Sequence, residues 1–283
     1  MKTASWPAPA KLNRFLHITG RRPDGYHTLQ TAFQFLDYCD RLDFELQAHG
    51  AVRRAGSPAG VPEDQDLTVR AARLLQQAAG TGQGVVVRLH KRLPLGAGLG
   101  GGSSDAATAL VALNRLWQTG LSTDELAALG LRLGADVPVF VHGRAAWGEG
   151  VGERLSDIEL DAPWFAVVVP PVAVSTAAVF GDAHLTRNSA PITISDFLTG
   201  RTCNDCEAVV VRRYPLVGEA LDWLRRRAGQ ARLTGTGACV YAACADEATA
   251  RTALSGLPAG WRGFAARGLN RSPLLERLAC HGS

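Results

Sequence analysis

Residues 93–107 read LPLGAGLGGGSSDAA, a glycine run followed by two serines and an alanine-rich stretch. Five of the seven positions from Gly96 to Gly102 are glycine, and each glycine adds to the conformational entropy that folding removes. Packing alone seldom accounts for so many glycines in so short a stretch. The flanking patterns predict a strand over Val85–Leu89 before the run and a helix over Ser103–Trp117 after it.

A glycine-rich loop that runs into a helix N-terminus is typical of a phosphate site. It presents free backbone N–H groups and the positive end of the helix dipole. We expect Ser103, Ser104 and Asp105 to occupy the cap positions of the helix. The two serines would then lie beside phosphate oxygens, or they would serve as helix caps only.

Other phosphate-binding loops fit this stretch less well. Residues 96–101, GAGLGG, match G-x-G-x-x-G, but a second helix start follows Trp117 where a dinucleotide fold needs a strand that ends in an acidic residue. A Walker A loop needs a lysine where Gly102 stands. The V-A-I-K, H-R-D and D-F-G signatures of protein kinases are absent from the sequence.

The composition is that of an ordinary globular protein. The chain has 283 residues, of which 46% are hydrophobic and 20% charged, and 30 basic against 26 acidic residues give a net charge of +4. The basic residues are dispersed, which argues against a nucleic-acid partner. No apolar stretch of about 18 residues and no leader pattern is apparent, so we expect a cytoplasmic protein without a membrane contact.

The six cysteines are expected to be reduced in such a chain. Cys203 and Cys206 form a C-x-x-C pair, but the sequence shows no second pair and no histidine next to it. The pattern therefore favours neither a zinc site nor a redox site there.

The order of elements predicts an α+β fold. Predicted strands and helices follow one another without strict alternation. We place two domains at 1–157 and 158–283. The predicted strands are Lys11–Ile18, Thr31–Leu36, Leu42–Leu46, Phe165–Val169, Ala238–Cys244 and Arg262–Arg267; the further predicted helices are Asp66–Ala79, Ser122–Leu133, Tyr214–Arg227 and Asp246–Ser255.

Three phrases together resemble the motifs of the GHMP kinases, the family of galactokinase, homoserine kinase and mevalonate kinase. They are PAKLN at 9–13, the glycine run, and LTGTGACVYA at 233–242. Residues 6–40, 133–140 and 232–242 extend the resemblance over most of the chain. These segments are most similar to family members that act on a cytidine diphosphate-linked methylerythritol. The resemblance implies a two-domain GHMP kinase fold with the active site in the cleft between the domains.

The resemblance also implies an activity. ATP would phosphorylate the 2-hydroxyl of that small-molecule substrate, with Mg²⁺, in the non-mevalonate route to isoprenoid precursors. The chain would act as a monomer or a homodimer. The ligands of Mg²⁺ stay unassigned. The residues that the resemblance places around ATP are Pro94, Gly96, Gly98, Gly100, Gly101, Gly102, Ser103 and Ser104.

Two residues match the catalytic positions of the family. Asp136 would accept the proton of the hydroxyl, and Lys11 would pair with Asp136 and make the hydroxyl more acidic. From the residues alone, Asp136 can equally be a turn residue between a helix end and an apolar strand. Lys11 taken alone reads as a solvated residue of an edge strand.

The substrate-binding positions implied by the resemblance lie in three parts of the chain. Asn13 shares a strand face with Lys11 and can hydrogen-bond the substrate. Aromatic rings and a neutral histidine would stack on and read the cytosine, and a glycine turn would approach the diphosphate. Taken singly, each of these aromatic, histidine and glycine residues can also be a core or turn residue without a ligand. The set is Asn13, Tyr26, His27, Phe180, Gly235, Thr236 and Gly237.

Three alternatives remain open at this point. The chain could be another small-molecule GHMP kinase, in which case cytidine would not be discriminated. It could be an RNA-binding module of related fold, which binds polyanions with a steep salt dependence. A nicotinamide-dependent oxidoreductase would need the acidic ribose residue that this sequence lacks.

Overall fold

The computed structural model describes residues 5–56, 61–200 and 202–280. Along these residues the elements are β1 (Trp6–Arg21), β2 (His27–Gln47), β3 (Val52–Ala55), α1 (Leu67–Ala79), β4 (Gly84–His90), α2 (Gly101–Leu116), α3 (Thr123–Leu131), α4 (Val137–His142), β5 (Ala146–Glu149), β6 (Arg154–Asp157), β7 (Trp164–Val169), α5 (Thr176–Phe180), α6 (Ile194–Leu198), α7 (Glu207–Arg213), α8 (Pro215–Ala228), β8 (Arg232–Leu233), β9 (Val240–Cys244), α9 (Glu247–Ala253), β10 (Arg262–Leu269) and α10 (Pro273–Cys280). In the described part of the chain, no helix is long and apolar enough to cross a membrane.

A long antiparallel hairpin of β1 and β2 organises the sheet. One edge of β2 pairs with β1, and the other edge pairs in turn with β5, β10 and β4. The two strands predicted at Thr31–Leu36 and Leu42–Leu46 are therefore one strand. The polar stretch between them stays extended because neighbouring strands supply hydrogen-bond partners for much of its backbone.

Strand β10 joins the two halves of the chain. It pairs with β7 over Arg262–Arg267 and with β2 at Gly268 and Leu269, so one sheet runs in the order β3-β4-β2-β10-β7-β9-β8. Helix α10 follows and packs on β1, and its Leu274 is buried in the core of the first half. The predicted boundary between 157 and 158 stays a prediction.

Helices cover the sheet, and the two largest apolar clusters of the described residues lie one in each half of the chain. In the first half α1, α2, α3 and α4 bury residues such as Leu75, Leu110 and Phe140 against the strands. In the second half α7, α8 and α9 pack with β7 and β9 around Leu221 and Val240. This mixed arrangement confirms the α+β prediction. The predicted helices and the later strands have counterparts close to their expected bounds, whereas β1 and β2 are much longer than predicted.

Side chains cap α1 and α3, but none caps α2. Asp66 caps α1, and Ser122 forms a capping box with Glu125. Helix α2 begins at Gly101, and its N-cap is Gly100 in the left-handed conformation with φ of +72°. The predicted cap role of Ser103, Ser104 and Asp105 is wrong, because glycine at 100 lets the helix begin earlier and places them inside it.

Residues 137–142 form a helix and not the apolar strand that one interpretation of Asp136 assumed. Asp136 is the N-cap residue of α4, and Pro138 lies in its first turn, where a missing N–H removes no helical hydrogen bond. The carboxylate of Asp136 makes no capping bond to the helix backbone. Its position is therefore favourable for the helix dipole but leaves the carboxylate available for another partner.

Packing accounts for part of the glycine density. Gly98 has φ of +79°, and a Cβ added there would lie 2.2 Å from the carbonyl oxygen of Thr234. A Cβ on Gly100 would lie 2.7 Å from the Phe140 ring. Gly96 has φ of +61° with no atom within 4 Å of its Cβ position. The loop thus needs glycine for close approach at two positions and for conformation at a third.

We predict that Gly98→Ala destabilises the protein far more than Gly96→Ala. Both substitutions place alanine in the left-handed region, at a cost of about 1 kcal/mol. Only the Gly98 variant adds a clash with backbone, which brings its expected loss to at least about 3 kcal/mol. Denaturant unfolding of the two variants measures the difference. Equal losses would contradict the close approach of the loop to Thr234.

Candidate active site

Lys11 lies in the middle of β1 and is buried. Its side chain is 4% exposed, and its Nζ lies 3.1 Å from Oδ2 of Asp136, whose side chain is 34% exposed. A buried ammonium needs an anionic partner to offset its desolvation. Lys11 is therefore a paired, interior cation and not the solvated edge residue of the alternative interpretation. Asp136 keeps one side open to the cleft.

Asn13 follows two residues later on the same face of β1. Its Oδ1 accepts a hydrogen bond from Lys11 Nζ, and its Nδ2 donates to Thr31 Oγ1 over 2.9 Å. Its backbone N–H donates to Thr234 Oγ1 over 3.0 Å. The amide group of Asn13 thus orients the ammonium of Lys11 in the structure, in addition to facing the cleft.

The three motif segments meet around this pair. The backbone N–H of Lys11 donates to the Leu99 carbonyl over 3.0 Å, and the Cys239 N–H donates to the Ala97 carbonyl over 3.1 Å. A Cβ on Gly235 would lie 3.3 Å from Oδ1 of Asn13. The glycine loop is therefore fixed between the N-terminal motif and the third motif.

A cleft of about 820 Å³ lies over this junction. Most of the residues predicted for the site line it: Lys11, Asn13, Tyr26, His27, Gly96, Gly98, Gly100, Gly101, Gly102, Ser103, Asp136, Phe180, Gly235, Thr236 and Gly237. Pro94 and Ser104 are not among the lining residues, and Ser104 is fully buried. The structure thus brings together most of the predicted set, while the individual roles stay predictions.

One end of the cleft carries the aromatic residues. His27 and Phe180 stack with ring centroids 5.1 Å apart, and Tyr26 is 65% exposed beside them. Arg187 Nε donates to His27 Nε2 over 3.0 Å. Because a guanidinium can only donate, His27 Nε2 must be an acceptor, so the imidazole is neutral. Burial, with Arg187 and Arg21, lowers the pKa of His27 below its ordinary value.

Arg187 is a residue that the sequence analysis missed. It also donates to the carbonyl oxygens of Phe180, Asp182 and Leu185, and so fixes the segment that carries Phe180. Residues 180–194 carry no motif and no regular hydrophobic period, so no sequence signal was available to place an arginine against His27.

A buried ionic cluster holds the start of the glycine loop. Lys91 Nζ lies 2.5 Å from Oδ2 of Asp40 and 2.9 Å from Oδ2 of Asp105. Oδ1 of Asp40 accepts the backbone N–H groups of Arg92 and Leu93 over 2.5 and 2.7 Å. Burial, together with Asp40, raises the pKa of Asp105, against the opposing effect of Lys91. Asp105 thus pairs with Lys91 instead of capping α2.

The fold and the cleft have counterparts among known families. Residues 66–144 match the model of the GHMP kinase N-terminal domain, and residues 185–263 match that of the GHMP kinase C-terminal domain. A solved mevalonate kinase structure has a TM-score of 0.66 at 15% identity, covering 95% of this chain and 100% of its own, which shows a shared fold. The chain belongs to the GHMP kinase family, as the motifs predict.

Relatives of higher identity indicate which members of the GHMP kinase family this chain resembles. The 4-diphosphocytidyl-2-C-methyl-D-erythritol kinase of Alkalilimnicola ehrlichii is 64% identical, with 96% of this chain and 94% of the relative covered. The enzyme of the same name from Nitrosococcus oceani is 57% identical, with 96% of this chain and 97% of the relative covered. A crystal structure of 4-(cytidine 5'-diphospho)-2C-methyl-D-erythritol kinase has a TM-score of 0.83 at 34% identity. The match covers 94% of this chain and 99% of the chain in that structure. Within its family the chain groups with these kinases.

We predict that Arg187→Gln raises the pKa of His27. In the unaltered protein burial lowers that pKa most, and removal of the Arg187 charge takes away the second cause. Because burial remains, the pKa of the variant should stay below the ordinary value of a histidine. An NMR titration of the imidazole measures both values. Arg21→Gln is the control and should raise the pKa less. An unchanged His27 pKa in Arg187→Gln would contradict this account.

Proposed function

We propose that the chain transfers the γ-phosphate of ATP to the 2-hydroxyl of 4-diphosphocytidyl-2-C-methyl-D-erythritol. The observation that carries the proposal is the Lys11–Asp136 ion pair, set directly against a glycine loop in one cleft. The names of the relatives at 64% and 57% identity support the choice of acceptor.

The glycine loop is proposed as the site of the ATP phosphates. Gly100, Gly101 and Gly102 stand at the start of α2, where backbone N–H groups have no partner within the helix. This helix has 16 residues, and its dipole favours negative charge at that end. Ser103 lines the same cleft. Ser104 is buried, so we assign it no contact with phosphate.

Asp136 is proposed as the acceptor of the hydroxyl proton and Lys11 as the cation beside it. The Asp136 carboxylate is partly open to the cleft and can reach a substrate hydroxyl. The Lys11 ammonium is buried and stays beside that carboxylate. The positive charge of Lys11 favours the alkoxide character that develops as the proton departs. Asn13 keeps the ammonium in place through its amide oxygen.

Mg²⁺ is proposed to accompany ATP. Among the described lining residues, the carboxylates are those of Asp24 and Asp136. The Ser103 hydroxyl is a hard oxygen donor that fits Mg²⁺, and it would hold the ion together with the phosphates. When bound, the ion would neutralise phosphate charge.

The aromatic end of the cleft is proposed to bind the cytosine. Tyr26 and Phe180 offer ring faces for stacking. Since Nε2 of His27 accepts from Arg187, its Nδ1–H is left as a donor that a base acceptor can use. Gly235, Thr236 and Gly237 would let the diphosphate approach the backbone. Action in the cytoplasm, as a monomer or homodimer and without nucleic acid, stays a prediction.

An ADP-release assay with Mg-ATP tests the proposal. The acceptors are 4-diphosphocytidyl-2-C-methyl-D-erythritol, mevalonate and homoserine, each offered alone. We expect ADP release with the first only. Release with mevalonate or homoserine instead would identify a different small-molecule kinase, and release with none would contradict the proposed function.

We predict that Asp136→Asn and Lys11→Met each lower kcat by at least about 100-fold, as expected for loss of a proton acceptor or of its paired charge. Steady-state kinetics at saturating substrates measure the loss. Asp157→Asn is the matched control, because Asp157 pairs with Arg144 on the surface and is 65% exposed. Near-normal kcat in both site variants, with normal thermal unfolding, would show the role assignment to be wrong.

A further inference from the structure

A second cluster of reactive side chains lies outside the cleft lining. His17 of β1, Cys203 and Asp205 each offer one ligand atom, and these atoms lie within 4.8 Å of one another. Cys203 Sγ is 3.6 Å from His17 Nε2 and 3.6 Å from Asp205 Oδ1. No histidine was expected near Cys203, which the structure corrects, because β1 brings His17 to it from 186 residues away.

Only one cysteine of the C-x-x-C pair, Cys203, belongs to this cluster. Cys206 is fully buried in the core of the second half, where burial raises the pKa of its thiol to about 12. Cys203 is exposed at the surface. The two cysteines therefore lie in different environments, and Cys203 shares its surroundings with His17 and Asp205.

We propose that His17, Cys203 and Asp205 form a zinc-binding site. Ligands of a tetrahedral zinc ion with Zn–S of about 2.3 Å and Zn–N or Zn–O of about 2.0 Å are separated by about 3.5 Å. The two sulfur distances in the cluster match that separation. A thiolate and a carboxylate together carry two negative charges, which neutralise Zn²⁺, and the neutral imidazole completes the set.

The carboxylate of Asp205 is held in the orientation that such a site needs. Its Oδ2 accepts the Ile18 N–H and the Ser189 hydroxyl, each over 2.6 Å. Its Oδ1 is thereby turned towards Cys203. Hydrogen bonds that orient a ligating carboxylate are a regular feature of protein metal sites.

The imidazole of His17 also fits the role. His17 is 8% exposed, and its ring meets the Phe15 ring edge-on at 5.1 Å. In the described structure its Nδ1 has no hydrogen-bond partner. Coordination would use Nε2, the nitrogen that faces Cys203 Sγ. The exposed side of Cys203 leaves a fourth position to water.

The site would stabilise a segment that reaches the cleft. Leu16 N–H donates to the Cys203 carbonyl, and Asp205 N–H donates to the Leu16 carbonyl, over 3.1 and 2.8 Å. Between the two ligands, Asn204 Nδ2 donates to the carbonyl oxygens of Leu233 and Gly235 over 3.0 and 2.8 Å. A zinc ion would thus fix residues 203–205 on β1 and, through Asn204, the position of Gly235. On binding, the Cys203 thiol loses its proton to solvent.

Metal titration of the tag-free full chain, stripped with chelator and kept reduced, tests the proposal. We expect one Zn²⁺ per chain. We expect Co²⁺ to give a thiolate-to-cobalt charge-transfer band with the strong visible bands of a tetrahedral site. Zn²⁺ should also raise the thermal unfolding temperature.

Cys203→Ser should abolish the charge-transfer band and weaken Zn²⁺ binding by at least about 100-fold, since loss of an outer partner alone costs about 10–100-fold. Cys280→Ser removes another exposed cysteine and should change nothing. His17→Gln should weaken binding while circular dichroism reports its folding. Absence of the band in the unaltered protein, or its survival in Cys203→Ser, would overturn the proposal.

Discussion

The structure depends on the burial of one positive charge. Lys11 lies inside the central hairpin, where an unpaired ammonium would cost several kcal/mol. Its partner, Asp136, comes from the start of α4, more than a hundred residues later. The pairing therefore requires β1 and α4 to meet, and the glycine loop must pass between them. Glycine at position 100 makes that passage possible, because the Cε of Lys11 and the Phe140 ring occupy the space of a side chain.

The same constraint links the two halves of the chain. Thr234 and Gly235 of the third motif contact Asn13 and the glycine loop, while β10 continues the sheet from one half to the other. The cleft is thus bounded by backbone segments that are fixed to each other by hydrogen bonds. The glycine loop and the Lys11–Asp136 pair lie in the first half, and the third motif comes from the second, so the cleft gains its geometry from these contacts and not from any one element.

Local patterns predicted the parts of this structure that depend on local chemistry. The sequence pattern predicted α1 close to its observed bounds, and the motif phrases predicted the residues around the cleft. The start of α2 was mispredicted, because a left-handed Gly100 outweighs the capping preference of the serines. The strand break in β2 was mispredicted because its backbone is satisfied by neighbouring strands, which a local pattern does not contain.

The residues that sequence reasoning missed are those whose partners are remote in the chain. Arg187 reaches His27, Lys91 joins Asp40 to Asp105, and Cys203 meets His17. Each contact joins two elements that only the tertiary fold brings together, and none carries a spacing that marks it. Charged and polar groups of this kind are also the groups that position the loops of the cleft.

In the proposed reaction the glycine loop holds the phosphates of ATP, and the Lys11–Asp136 pair acts on the hydroxyl that receives the γ-phosphate. A crystal structure with a non-hydrolysable ATP analogue and 4-diphosphocytidyl-2-C-methyl-D-erythritol tests this most directly. We expect the triphosphate to contact the backbone at Gly100–Gly102, with the 2-hydroxyl in line with the γ-phosphorus and hydrogen-bonded to Asp136. Phosphates bound away from the loop, or a 2-hydroxyl that points away from Asp136, would contradict it.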